Sequence, residues 1–288
     1  LNLGGELEFL FGVFDPTGTT LDLISYGAVQ GTFTTITNQP QDSNLLGLTG
    51  GGVISLQTIG CPGEALCWDG GGDGSNWSDG LNWLGDLAPE GGEQVSIDAG
   101  GVTVVFNDTV TIDSIVFLDA ASTLEIAGGV LTIDNASTLD GSLAITGGSL
   151  AGAGNLTVNG ALDWQGGLVT GDGLGSPNLT TNGPVTLGTT GVKTLAGRDW
   201  TANGPVTWSG GTLELGDSDF ANTLTVNNAF DMEGDLNLTA ANGGSDVVVN
   251  AGGNLRKSSG TGTATLGAFV DVAAGTLGVE RAVRPLLA

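Results

Sequence analysis

From residue 155 onward the chain alternates apolar and polar positions in short runs, and one ten-residue version of that alternation recurs five times. The copies are NLTVNGALDW from Asn155, NLTTNGPVTL from Asn178, DWTANGPVTW from Asp199, TLTVNNAFDM from Thr223 and DVVVNAGGNL from Asp246. Leu156 and Val158 share one face of a strand while Thr157 points the other way, and Leu162 and Trp164 resume the inward alternation after Asn159-Gly160. The same positions hold Leu179, Val185 and Leu187, then Trp200, Ala202, Val206 and Trp208, then Leu224, Val226, Phe230 and Met232, with Thr181 as a polar break. The fifth letter is always asparagine, at Asn159, Asn182, Asn203, Asn227 and Asn250. Such a run cannot bury its apolar stripe alone, but a stack of copies can, so the pattern predicts a parallel β-helix, or β-solenoid, with right-handed winding. An asparagine kept at one corner predicts a ladder of side-chain amides along the axis, and Asn-Gly suits a corner because both residues tolerate positive φ.

Similar strand patterns run back to Val95 and forward to the end, so residues 93–288 read as roughly nine coils of about 22 residues, a rod of about 40 Å at 4.8 Å per coil. Residues 1–58 carry strand-like runs without this repeat and predict a small β-rich segment, and residues 59–92 form a Cys/Trp/Gly-rich entry or capping loop. Glycine, 53 of 288 residues, punctuates the strands in pairs such as Gly128-Gly129, Gly147-Gly148 and Gly210-Gly211. The apolar share of 40% is too high for a disordered glycine-rich tract.

Charge narrows the partners. Thirty-one acidic residues stand against six basic ones, for a net charge of -25. Such a surface repels nucleic acid and anionic lipid headgroups and attracts cations. Asp69, Asp73, Asp79 and Asp86, with Asn82 among them, lie in a glycine-rich loop that offers oxygen ligands to Ca²⁺, although the spacing fits neither an EF-hand nor a nonapeptide repeat. Absence of histidine removes the commonest general base, and no GxSxG elbow occurs, which argues against an enzyme. The competing reading is a polysaccharide lyase or glycosidase built on a β-helix, with Asp163, Asp172, Asp217 and Asp219 as carboxylates near Lys193 and Arg198. Cys61 and Cys67, in CPGEALC, are spaced to close a small disulfide loop, which fits an oxidising, extracellular setting. No stretch approaches a membrane-spanning length of apolar residues. Both ends read as apolar and uncapped, which predicts head-to-tail self-association or contact with neighbouring parts of a longer chain, Arg281 and Arg284 meeting Glu6 and Glu8.

The run WDGGGDGSNWSDGLNWLGDLAPEGGEQVSID resembles the entry module of bacterial secreted proteins with autotransporter-associated β-strand repeats, through Trp68, Gly70, Gly71, Trp77, Asn82, Trp83 and Pro89. The likeness extends over roughly residues 65–215. TTLDLISYGAVQGTFTTI is similar to stretches of filamentous-haemagglutinin and autotransporter-passenger proteins. These resemblances imply a structural or adhesive module on the bacterial cell surface or outside the cell, and bring no catalytic residues. Within the module, three tryptophans in sixteen residues are placed to plug the open end of the solenoid, or else to stack on a ligand such as a glycan.

Overall fold

The structure is a computed structural model that describes residues 65–117, 119–172, 177–241 and 244–279, together with the backbone of seven strands before residue 59. From Leu66 to Val279 the backbone winds as a parallel β-solenoid with three sheets, of nine, eight and ten strands. Each sheet takes one strand from each coil, and every neighbouring pair is parallel. Gln94–Ile97, Thr103–Phe106 and Thr109–Ile112 make the first complete coil, and Asp246–Val249, Asn254–Ser259 and Thr265–Leu266 make the last. That is eight complete coils and a ninth with two strands, Phe269–Asp271 and Thr276–Val279. Coil length varies more widely around the expected 22 or so than the asparagine spacing does: Leu124 pairs with Leu143, 19 positions on, and Phe230 with Leu255, 25 positions on. The differences are absorbed mainly in the corners, since the strand pairs stay in register apart from a one-residue shift between Met232 and Glu233.

The alternation read from the sequence is the alternation of burial. Leu156, Val158, Leu162 and Trp164 are all inside, as are their counterparts in the later coils, and together they belong to one continuous core running from Trp68 to Leu255. Trp164 stands over Leu187, which stands over Trp208 and then Met232, so large and intermediate side chains alternate along one column. Thr181 lies wholly inside the core, and its hydroxyl accepts the indole N–H of Trp200 at 3.0 Å. The polar break in the pattern is therefore the partner that a buried tryptophan one coil on requires.

Asparagine-glycine corners work for a reason other than the expected one. None of the five asparagines has positive φ, and neither do Gly160, Gly183 or Gly204. A methyl group on Gly160 would fall 2.2 Å from the Gly141 carbonyl oxygen, on Gly183 2.1 Å from that of Gly160, and on Gly204 1.9 Å from that of Gly183. The coils stack so closely at this corner that no side chain fits between them, and that close approach selects glycine.

Before residue 59, strands Thr20–Tyr26, Ser43–Leu46 and Gly52–Thr58 form an antiparallel sheet, while Asn2–Leu3 and Glu6–Glu8 pair in parallel with Gln30–Gly31 and Thr35–Thr37. Among the described residues the only helix is a three-residue 3-10 turn, Gly80–Asn82, so no helix is long and apolar enough to cross a membrane.

Candidate functional surfaces and structural sites

The amide ladder is continuous. The Nδ2 of Asn182 donates to the Oδ1 of Asn159 at 2.7 Å, Asn203 to Asn182 at 2.9 Å, Asn227 to Asn203 at 2.8 Å and Asn250 to Asn227 at 2.9 Å. Below it, Asn159 donates to the carboxylate of Asp140 at 2.6 Å. A carboxylate only accepts, so Asp140 sets the direction in which the amides above it point. Asp140 escaped the sequence reading because it lies outside the five aligned phrases; its place one coil below Asn159 is the only sequence cue. Elsewhere the Oδ1 of Asn155 accepts the amide of Asn178, and the Oδ1 of Asp199 accepts that of Thr223.

Two cations seal the corners of the middle coils. Lys193 is fully buried, and its ammonium donates to the carbonyls of Gly191 at 2.9 Å and Gly210 at 3.1 Å. Burial pulls its pKa below the ordinary lysine value, and the Asp163 charge partly opposes this. Arg198, 2% exposed, donates to the carbonyls of Gly152 at 2.7 Å, Gly154 at 2.8 Å, and Thr170 and Asn178 at 3.3 Å each. Its backbone carbonyl in turn accepts the side-chain amide of Asn222. One guanidinium thus satisfies backbone groups from three successive coils. Burial lowers its pKa to about 10, opposed by the charge of Asp172.

These bonds bear on the carbohydrate-enzyme reading. Lys193 and Arg198 are occupied by carbonyls. Asp163 points outward between Ala144 and Thr186 and accepts from Gln165 at 2.8 Å. Asp217 accepts the amides of Asp219 and Phe220 at 2.8 Å each, closing a local turn.

In the entry loop the three predicted tryptophans are buried together. Trp68 and Trp83 meet edge to face at 5.1 Å, Trp77 and Trp83 at 4.8 Å, and Trp77 meets Phe106, in the first complete coil, at 5.3 Å. The indole of Trp83 donates to the Trp77 carbonyl at 2.6 Å, whereas the indole N–H groups of Trp68 and Trp77 are buried without a partner. With all three rings buried, their faces are turned to the core and to one another, the arrangement of an end plug, and none is left open to stack on a ligand. Strand Leu66–Cys67 also pairs in parallel with Val95–Ser96, so the loop supplies the first strand of one sheet. Cys67 is disulfide-bonded, and the only other cysteine in the sequence, Cys61, lies outside the described residues.

Oxygen atoms of the acidic loop turn toward its own backbone. Asp73 accepts the amides of Asn76 at 2.8 Å and Ser75 at 2.9 Å, the Asn82 side chain at 2.9 Å, and the Asn76 side chain as well. Led by the Asn76 amide, these donors hold its carboxyl well below the usual carboxylate range. Asp79 accepts from Leu81 and Asp73, each at 3.1 Å, and Asp69 from Gly71 at 2.9 Å, while Asp86 adopts a φ of 60° in an exposed turn. At the centre is buried Asn82, whose Oδ1 accepts from Gly72 and Gly74. Among the described residues no three acidic or cysteine side chains converge as a metal-binding group.

The outward faces carry regular rows. On the ten-strand sheet, Thr138, Thr157, Thr180, Thr201 and Thr225 occupy one position in five successive coils, in register. At parallel-strand spacing their hydroxyls repeat about every 4.8 Å.

Compared with known proteins, the chain matches no family model, no curated sequence and no solved structure.

Proposed function

We propose that this chain is a non-enzymatic structural or adhesive module, part of a secreted or surface-exposed bacterial protein of the kind its entry loop resembles. One observation carries the reading: eight coils stacked around a solid core, with a row of threonines and a ladder of asparagines repeated along the outside. Such a column resists bending because core packing runs along it and the amide ladder ties five of its eight coils together. Its outer rows offer the same weak contact many times over, which suits multivalent attachment to a glycan or a mineral face. The disulfide at Cys67 supports an oxidising, extracellular setting, and the charge of -25 supports keeping copies and anionic polymers apart along the body of the rod.

Incubating the purified chain with a panel of insoluble polysaccharides and calcium minerals tests this. The expected result is retention on at least one surface without release of sugar, and roughly tenfold weaker retention when Thr180→Lys and Thr201→Lys interrupt the threonine row. Reducing ends or unsaturated uronides appearing in the supernatant would replace the module with an enzyme.

A further inference from the structure

The corner that carries the ladder also holds a chemically labile dipeptide. Asn159, Asn182 and Asn203 are exposed, and each is followed by glycine. Asparagine before glycine is prone to modify itself, because no side chain shields the next backbone nitrogen. That nitrogen gives its proton to hydroxide and attacks Cγ. The Cγ–Nδ2 bond breaks, ammonia leaves with a proton from water, and a succinimide ring is closed. Water then opens the ring at either carbonyl, giving aspartate or isoaspartate. The fold cannot avoid the dipeptide here, since a methyl group on Gly160, Gly183 or Gly204 would fall 2.2, 2.1 or 1.9 Å from a carbonyl oxygen of the coil before.

Each of the three side chains is tied at both ends. Asn182 donates through Nδ2 to Asn159 and accepts through Oδ1 from Asn203; Asn159 is held in the same way between Asp140 and Asn182, and Asn203 between Asn182 and Asn227. Their backbone amides donate to Leu139, Val158 and Thr181 of the coil before, at 2.8, 2.8 and 2.9 Å. Ring closure needs Cγ brought onto the next nitrogen with its amide free to leave, so the rung must first come out of the ladder. At Asn203 the attacking group is held as well, because the Gly204 N–H donates to the Thr181 carbonyl at 3.1 Å.

We infer that Asn159, Asn182 and Asn203 are self-modification sites held closed by the ladder, and that loss of one rung spreads in a single direction, toward Asp140. Every rung donates to the coil before and accepts from the coil after. An aspartate formed at position 182 still accepts from Asn203, but it has no N–H to offer Asn159. Asn159 then loses the bond to its Oδ1 and closes its own ring faster, whereas Asn203 keeps both of its bonds. Isoaspartate also lengthens the backbone at a corner with no spare room, so the modification breaks the stacking itself. The inference concerns the ladder alone, so it and attachment to a glycan or mineral can each fail without the other.

Peptide mapping by mass spectrometry, on the full chain kept in mildly alkaline buffer at body temperature, times the aspartate and isoaspartate formed at each site. Modification follows the open fraction of a site, so the folded chain converts all three asparagines at least roughly tenfold more slowly than the chain unfolded in guanidinium, with Asn203 the slowest. Asn182→Asp speeds Asn159 by about threefold or more and leaves Asn203 unchanged. Asn227→Asp repeats the test higher in the ladder, speeding Asn203 and leaving Asn182 unchanged, so one variant that fails to fold does not end it. General loosening of the coils would speed the rungs on both sides of a substitution. Rungs that convert as fast in the folded parent as in the unfolded chain, an Asn203 that converts first, or variants that speed both neighbours or neither overturn the inference.

Discussion

Replacing Arg198 separates a corner clamp from a chance buried charge. Its guanidinium makes two short bonds, to Gly152 and Gly154, and two longer ones, to Thr170 and Asn178. Methionine fills a similar volume with no donor, leaving all four carbonyls without this partner. Hydrogen bonds from charged groups contribute about 1.5–3 kcal/mol each when short and well shielded, and much less when long. Against the resulting total of about 4–6 kcal/mol stands the relief of no longer burying a charge, several kcal/mol in its own right. The balance for Arg198→Met is a loss of about 2–4 kcal/mol, seen as a lower urea midpoint at unchanged slope. Because Gly152 and Gly154 lie two coils before Arg198, the loss is not confined to residue 198: amide hydrogen exchange should speed up around residues 152–154 and 170–178 together. Arg198→Lys keeps the charge but loses the fork, and should recover less than half of the difference. A methionine variant within about 0.5 kcal/mol of the parent, or a lysine variant equal to it, refutes the clamp.

Other outcomes follow from the same geometry. Gly204→Ala forces a methyl to 1.9 Å from the Gly183 carbonyl oxygen, so it should cost about 2–3 kcal/mol in the urea midpoint, whereas Gly74→Ala, where nothing lies within 4 Å, pays only for its positive φ, about 1 kcal/mol. Asn203→Asp should destabilise more than Asn203→Ala in thermal melts, the alanine by about 1 kcal/mol, because the new carboxylate faces the Oδ1 of Asn182, an oxygen that Asp140 keeps pointed up the ladder. On the acid side, the Arg256 side chain, bonded at 2.5 Å, holds the Asp231 carboxyl below its ordinary range. A depressed folded-state value gives stability that is complete above the unfolded carboxylate range near pH 4 and fades as pH falls through the lower folded value. Asp231→Asn should therefore lose about 1 kcal/mol at pH 7 and progressively less as pH falls below about 4, and a loss that does not shrink on acidification would contradict the pairing. With Asp73 saturated by N–H donors, 5 mM Ca²⁺ should raise the melting temperature by less than about 1 °C; a rise of several degrees would show that the loop reorganises around the ion.

How far the sequence disclosed this molecule depends on whether a feature repeats. Inward positions such as Leu156, Val158 and Trp164 recur at a fixed offset in the first four phrases, and the core and the ladder share that offset, so both were legible; only after Asn250 does a longer corner shift the second strand by two residues. The number of coils was less so, because corners absorb insertions: a coil of 19 residues and one of 25 place the same strand positions in register. The glycine after Asn159, Asn182 and Asn203 was legible as a letter and misread as physics, since the stacking distance at that corner, set by the coil before, selects it rather than its own φ.

Least legible were the features that occur once. Lys193 and Arg198 look in sequence like solvated cations, or like candidates for sugar chemistry, and only the fold shows that each aims at carbonyls from neighbouring coils. Asp73 and Asp79 look like ion ligands until the backbone amides that claim them are located. In a repeat protein the periodic part of the sequence encodes the column, because each coil's partner is a near copy of itself. The aperiodic polar residues close what the repeat leaves open, as Arg198 does at corners of unequal length and buried Asn82 does beneath the tryptophans of the entry loop.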